Sequence, residues 1–182
     1  IMESNRLKIR TSIFEDCKLF AQWEALPSVR ASFTMNDDWD YNSIAPQFVL
    51  HNQDKTRLQM TILLKETGEP IGRIQISRID PDYDSLDITR IYIAEDRHRR
   101  RGLGEEAMRL ILEYCFIQLH MERVTLDFVE GNYPAEALYL KLGFKREGVA
   151  RHGGKKNGMY VNLHMMSILR NEYYSLFKSE EL

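Results

Sequence analysis

Residues 97–101 read Arg-His-Arg-Arg-Arg, and Gly102-Leu103-Gly104 follows immediately, before the acidic and apolar opening of a helical pattern. Glycines at a strand-to-helix junction let the backbone approach a ligand. The start of a helix leaves several N–H groups unpaired and carries partial positive charge, and flanking arginines add donors for the same oxygens. The chemistry suits an anion such as phosphate or pyrophosphate. Four readings are compatible with it: a phosphate cradle, a dinucleotide-binding turn, a nucleic-acid patch and a solvated basic loop.

Gly102-x-Gly104-x-x-Ala107 fits the dinucleotide fingerprint, and Asp127 lies about 20 residues further on, where an acid for the ribose is expected. Against this, the hydrophilic "EDRHRRR" separates the glycines from the preceding strand, and the strand carrying Asp127 continues past it as "FVE". No Gly-Lys-Ser/Thr closes a P-loop. Lys and Arg number 25 against 27 Asp and Glu, for a net charge of −2, whereas a nucleic-acid binder usually carries a basic excess. Glu105-Glu106 would also repel a phosphate backbone. The cluster is thus a local feature on a near-neutral chain, which suits a small anion better than a polymer. A solvated loop accounts for the arginines but leaves the glycines unexplained.

With 182 residues, 43% of them hydrophobic, the chain suits one globular domain with a substantial core. "RLKIR" (6–10) alternates like a strand. Ser12 and Glu15 form a capping-box pattern opening a helix to about Glu24. Residues 27–43 read as a connection, and a second helix is expected over 43–53, starting near Pro46. Runs 57–66, 71–79 and 86–94 predict three consecutive antiparallel strands. A helix over 103–120, a strand over 123–130 and a short helix over 134–142 follow, the last begun by Pro134 and stopped at Gly143. Segments 144–150 and 160–169 close the chain as a strand pair around "RHGGKKNG". The predicted order, β-α-α-β-β-β-α-β-α-β-β, is an α/β chain with a mixed sheet.

The stretch "NYPAEALYLKLGF" (132–144) supplies what the arginine-glycine segment alone does not. Together they make the chain resemble the GNAT superfamily of acetyl-CoA-dependent N-acetyltransferases, in the branch of ribosomal-protein and spermidine acetyltransferases. The family's Q/R-x-x-G-x-G/A motif stands here as Arg99-Arg100-Arg101-Gly102-Leu103-Gly104. Its N-x-x-A-x-x-x-Y-x-K-x-G-F pattern stands as Asn132, Ala135, Tyr139, Lys141, Gly143 and Phe144. A lone match to the first motif arises by chance in roughly one chain in five to ten of this length, so the specificity lies in the pair. The resemblance covers residues 86–169 well and the N-terminal third only in layout. It implies a single N-acetyltransferase domain over residues 1–182, whose mixed, mostly antiparallel sheet has a splayed central strand pair flanked by helices.

The resemblance also implies roles. Backbone amides around Arg99, Arg100, Arg101, Gly102, Leu103, Gly104 and Glu105 would hold the CoA pyrophosphate. The pantetheine arm would pair along the exposed strand edge at Ile91, Tyr92 and Ile93, and contact Asn132 and Ala135. Acetyl-CoA enters as co-substrate, with no metal. Tyr139 would be the general acid that protonates the departing thiolate, since a phenol stays protonated at neutral pH. For the base, relatives carry a glutamate where this chain has Thr89. Asp87, two residues earlier and on the same face unless a bulge intervenes, is one candidate. Asp127, five residues before the motif asparagine and facing away from Leu126 and Phe128, is the other. The alternative for each is a solvated strand residue, with bulk water taking the proton.

The acceptor is expected to meet the early helices and the late hairpin. Asp37, Asp38 and Asp40 beside Trp39 and Tyr41 would attract a cationic amine by charge and cation–π contact. The expected acceptor is a small basic amine such as a polyamine. A peptide N-terminus is the alternative acceptor, and a non-catalytic acyl-CoA-binding domain the alternative to an enzyme. The expected partners are acetyl-CoA and that amine, with no nucleic acid and no membrane. No apolar run approaches the roughly 20 residues of a membrane span, "IMESNRLKIR" lacks a secretory apolar stretch, and Cys17 and Cys115 have no metal-ligand spacing. A cytoplasmic location is the expectation. The closing strands, with His164, Met165 and Met166, would serve either a homo-oligomer or the core.

Overall fold

Alternation of apolar and polar residues drives the chain into one sheet. The computed structural model describes residues 2–179. Among them, eight strands form an open sheet in the order β1-β2-β3-β4-β5-β6-β8-β7. The strands are β1 (Met2–Glu3), β2 (Leu7–Thr11), β3 (Leu58–Leu64), β4 (Pro70–Asp80), β5 (Ser85–Ile93), β6 (Arg123–Val129), β7 (Lys145–Lys156) and β8 (Met159–Leu169). All neighbouring pairs are antiparallel except β5 with β6. This is the mixed, mostly antiparallel α/β architecture expected.

The helices cover the two faces unequally. On one face α1 (Cys17–Glu24), α2 (Pro27–Arg30) and α3 (Tyr41–Asn52) enclose a core of Phe20, Trp23, Val29, Ile44, Phe48 and Tyr92. On the other, α5 (Leu103–Glu113) packs Leu103, Ala107, Leu110 and Ile111 against Ile74, Ile76, Leu86, Ile88 and Leu126. A π-helical turn (Tyr114–Gln118) extends α5, and α4 (Asp96–Arg99) is a single turn ahead of it. α6 (Tyr133–Lys141) and α7 (Arg170–Phe177) complete the set.

Several expectations need correction. Ser12 does not cap a helix: its buried hydroxyl bonds the Thr61 hydroxyl, while Asp16 accepts from the Ile13 amide and Arg10, and Phe14–Asp16 is a 3-10 turn leading into α1. α2 lies inside the segment read as a connection. α3 starts at Tyr41, not near Pro46, because the Asp40 carboxylate accepts from the Asn42 and Ser43 amides and opens the helix five residues earlier. The segment read as the loop "RHGGKKNG" is mostly strand. Asn157 and Gly158, both at positive φ (50° and 79°), turn the β7–β8 hairpin, and residues 151–153 bulge out opposite Asn162. α7 was not anticipated. Of the two closing strands only β7 has a free edge, since β8 pairs with β6 and β7; Met166 is buried and Met165 exposed.

Candidate active site

β5 and β6 pair only at Ser85↔Arg123, Leu86↔Val124 and Asp87↔Thr125, and then part. Beyond that point β5 runs on to Ile93 and β6 to Val129, so two strand edges face one another across a gap in mid-sheet. Which groups line it follows from the ladder on the other side of β5. The Ala94 amide donates to the Ile71 carbonyl, and Arg73 faces Tyr92. Because hydrogen-bonded and non-hydrogen-bonded pairs alternate in an antiparallel ladder, the main-chain groups of Ile91 and Ile93 point away from β4 and into the gap.

A cavity of about 370 Å³ fills the gap. Ile91, Tyr92 and Ile93 form one wall, Asp127 and Phe128 another, and Asn132, Ala135, Leu138 and Tyr139 of the α6 region a third. Gly104 and Met108 close it from α5, and Ser28, Val29, Ser32 and Phe33 from α2 and the segment after it. Phe128, Leu138 and Met108 follow core-like patterns, so nothing in the sequence distinguished them.

The arginine-glycine segment sits at the mouth. Gly102 adopts φ 74°, ψ 14°, a left-handed conformation that a side chain disfavours, and thereby starts α5 with no side chain capping it. The first-turn amides of α5 therefore remain available to an anion. Gly104 lines the cavity. Leu103 is fully buried and anchors the helix. Arg99 is the surprise: its guanidinium turns inward, donating to the carbonyls of Ile93 (3.0 Å) and Ala94 (2.8 Å) and to the Ser28 hydroxyl (2.7 Å). It braces the end of β5 against α2. Arg97 is taken up by Glu69 and Glu95. Arg100 and Arg101 are exposed, with no side-chain partner among the described residues. The Glu105 carboxylate is engaged by Lys141 at 2.6 Å and by Arg109.

Tyr139 packs its ring against Phe128 and Phe144, and its hydroxyl has no hydrogen-bond partner among the described residues. Burial, and then the Asp127 carboxylate, push its phenol up to about 12. Asn132 caps α6 by accepting from the Ala135 amide at 3.3 Å. Asp127 has its pKa raised by desolvation first and by Asp87 second, with Arg78 opposing. Asp87 lies outside the cavity, accepting from the Thr125 hydroxyl at 2.6 Å and from Thr89 at 3.3 Å. A bulge does intervene, since Gln75 faces Arg90 and Ile76 faces Ile88, leaving Thr89 unopposed. The two side chains nevertheless share a face, and Thr89 also bonds the Ser77 hydroxyl.

Residues 37–41 do not line the cavity. Asp40 is spent on capping α3, Trp39 donates to Glu24 at 3.0 Å, and the Asp37 carboxylate is exposed near Arg30. The segment does meet the late hairpin: Asn157 exchanges hydrogen bonds with Asn36 and the Asp37 amide. Among the described residues no cluster of His, Cys, Asp and Glu is arranged to hold a metal, and no helix is long and apolar enough to cross a membrane.

A sheet splayed at its parallel pair, with an uncapped helix start at the mouth of the gap, is the geometry the sequence motifs require. The family model of the acetyltransferase (GNAT) domain matches residues 6–145. The chain belongs to the GNAT acetyltransferase family. The uncharacterised N-acetyltransferase p20 of Bacillus licheniformis is 26% identical over 173 residues, 93% of this chain and 96% of that one. The spermidine N(1)-acetyltransferase of Escherichia coli K12 is 27% identical over 130 residues, 71% of this chain and 67% of that one. Among solved structures, spermidine N-acetyltransferase from Vibrio cholerae in complex with CoA and spermine superposes with a TM-score of 0.83 at 19% identity, covering 93% of this chain and 99% of that one. The chain is a GNAT N-acetyltransferase, and the fold is that of its structural neighbours.

Proposed function

We propose that this GNAT enzyme, a single domain over its whole length, transfers the acetyl group of acetyl-CoA to the primary amine of a small acceptor by direct attack in a ternary complex. The observation that carries the reading is the gap between β5 and β6, bordered by main-chain groups of Ile91 and Ile93 that point away from β4 and by Tyr139. The first-turn amides of α5 receive the pyrophosphate, the edge at Ile91–Ile93 the pantetheine, and an amide of that edge polarises the thioester carbonyl. The neutral amine attacks that carbon, the C–N bond forms and the C–S bond breaks. Asp127 takes the proton from nitrogen, and Tyr139 gives one to the thiolate. A phenol raised to about 12 is protonated at any working pH, and a carboxylate raised by desolvation is a stronger base than usual.

Direct attack is also supported by the cysteines. Cys17 and Cys115 are both fully buried, neither lines the cavity, and burial pushes both thiols up. For the acceptor, the relatives' names bring a polyamine as the first candidate, and the carboxylates of Asp87 and Asp127 suit an ammonium. The test is release of CoA thiol from acetyl-CoA with a panel of polyamines, amino acids and short peptides, by wild type and Tyr139→Phe. Amine-dependent release that collapses in the variant is the expected result. Acetyl-CoA binding without release by any amine would favour the acyl-CoA-binding alternative.

A further inference from the structure

A second pocket of about 220 Å³ opens beside the cavity and shares Asp127 with it. Its charged lining is Arg78, Asp87, Arg123, Asp127 and Glu147. These charges are not equivalent. Arg123 and Glu147 pair through two contacts, and Ser167 also donates to Glu147, so both are spent on each other. Asp87 is oriented by Thr125 and Thr89. Arg78 has no hydrogen bond and no carboxylate within 4.0 Å among the described residues, and the Asp127 carboxylate likewise has no hydrogen-bond or ion-pair partner among them.

The backbone puts it there. In a regular strand Arg78 would follow Ile74 and Ile76 onto the α5 face. Instead β4 is irregular between Ser77, which faces Asp87, and Asp80, which faces Ser85. Arg78 sits in that irregularity at φ 53°, and it lines the pocket together with Asp87 and Asp127. Two carboxylates and one unpaired guanidinium thus face each other across a space, without touching, next to the gap between β5 and β6.

We propose that Arg78 is a specificity-determining residue that binds a carboxylate carried close to the reacting amine, so that the acceptor is an α-amino acid. The inference rests on reading the cavity as the site of acetyl transfer. The acceptor's ammonium lies against Asp127 and Asp87, and its carboxylate meets the fork of Arg78, which matches that planar group with two parallel N–H donors. A polyamine satisfies the two acids equally well but sets a further ammonium toward an unpaired guanidinium, and this like-charge contact selects against it.

The experiment measures kcat/KM for thiol release by wild type, Arg78→Gln and Arg78→Lys. Its substrates are α-amino acids, the matching amino-acid amides, spermidine and a short peptide. Wild type is expected to prefer the free acids. Arg78→Gln should lower kcat/KM for the acids by about 10- to 100-fold, mainly through KM, and leave the amides unchanged; Arg78→Lys should restore part of the loss. Amides or spermidine used as well as the acids, activity confined to the peptide, or an equal loss on acids and amides would overturn the inference while leaving acetyl transfer intact. No release with any amine would overturn both.

Discussion

Glu24 is fully buried on α1 and gathers four donors: Arg73 at 2.8 Å, Arg90 at 2.9 Å, the Tyr92 hydroxyl at 2.7 Å and the Trp39 indole at 3.0 Å. Arg73 is 1% exposed and stacks over Phe20. Glu24→Gln keeps the shape but leaves two guanidiniums facing each other over a neutral amide. Breaking a buried pair in this way costs about 3–5 kcal/mol. For a domain of this size each kcal/mol lowers Tm by about 2–4 °C, so the expected fall is roughly 6–20 °C. The pH dependence gives a second check. Arg90 and Arg73 hold the Glu24 carboxyl below its ordinary 4.5 despite its burial. Its contribution is therefore complete above pH 4.5 and disappears as pH falls through the lower folded value. Thermal unfolding of both proteins from pH 8 to pH 3 should show a gap that narrows only below about 4.5. A loss under 1 kcal/mol at pH 7, or a gap constant down to pH 3, would show that the Glu24 carboxylate is not the counter-charge that holds Arg73 and Arg90 in the core.

Three further outcomes follow from the site. Tyr139→Phe keeps the ring contacts with Phe128 and Phe144 and should lower kcat by about 10²- to 10⁴-fold with little change in KM for acetyl-CoA, measured by thiol release. Asp127→Asn should abolish the acidic limb of the kcat/KM profile, which in wild type is shifted upward from that of an ordinary aspartate by desolvation and then by Asp87. Since a raised carboxyl pKa weakens the fold above its unfolded value of about 3.9, the same variant should be no less stable at pH 7, as read by urea unfolding. Gly102→Ala forces a side chain into φ 74° at a cost of roughly 1–2 kcal/mol. It should raise KM for acetyl-CoA more than KM for the amine.

The strands from β3 to β5 were legible because their apolar residues alternate, and α6 because Pro134 and Gly143 bound it. α2 was not, since a helix of four residues carries no period. Pro46 misplaced the start of α3, because Asp40 spends its carboxylate on the helix amides, a use that sequence alone does not separate from ligand binding. The glycine- and lysine-rich end of β7 reads as loop by composition, yet pairing with β8 and the bulge opposite Asn162 absorb it. In the site, the residues named by the motifs could be picked out by spacing. Those placed by backbone irregularity could not: the left-handed Arg78, the unopposed Thr89 and the inward turn of Arg99 are set by the tertiary sheet.

Direct acetyl transfer in a ternary complex is tested by amine-dependent release of CoA thiol, measured together with the mass of the product. It predicts one acetylated amine for each thiol released, with no acetyl group left on the protein when the amine is withheld. Thiol release without acetylated amine, or an acetylated enzyme that then transfers to the amine, would contradict it.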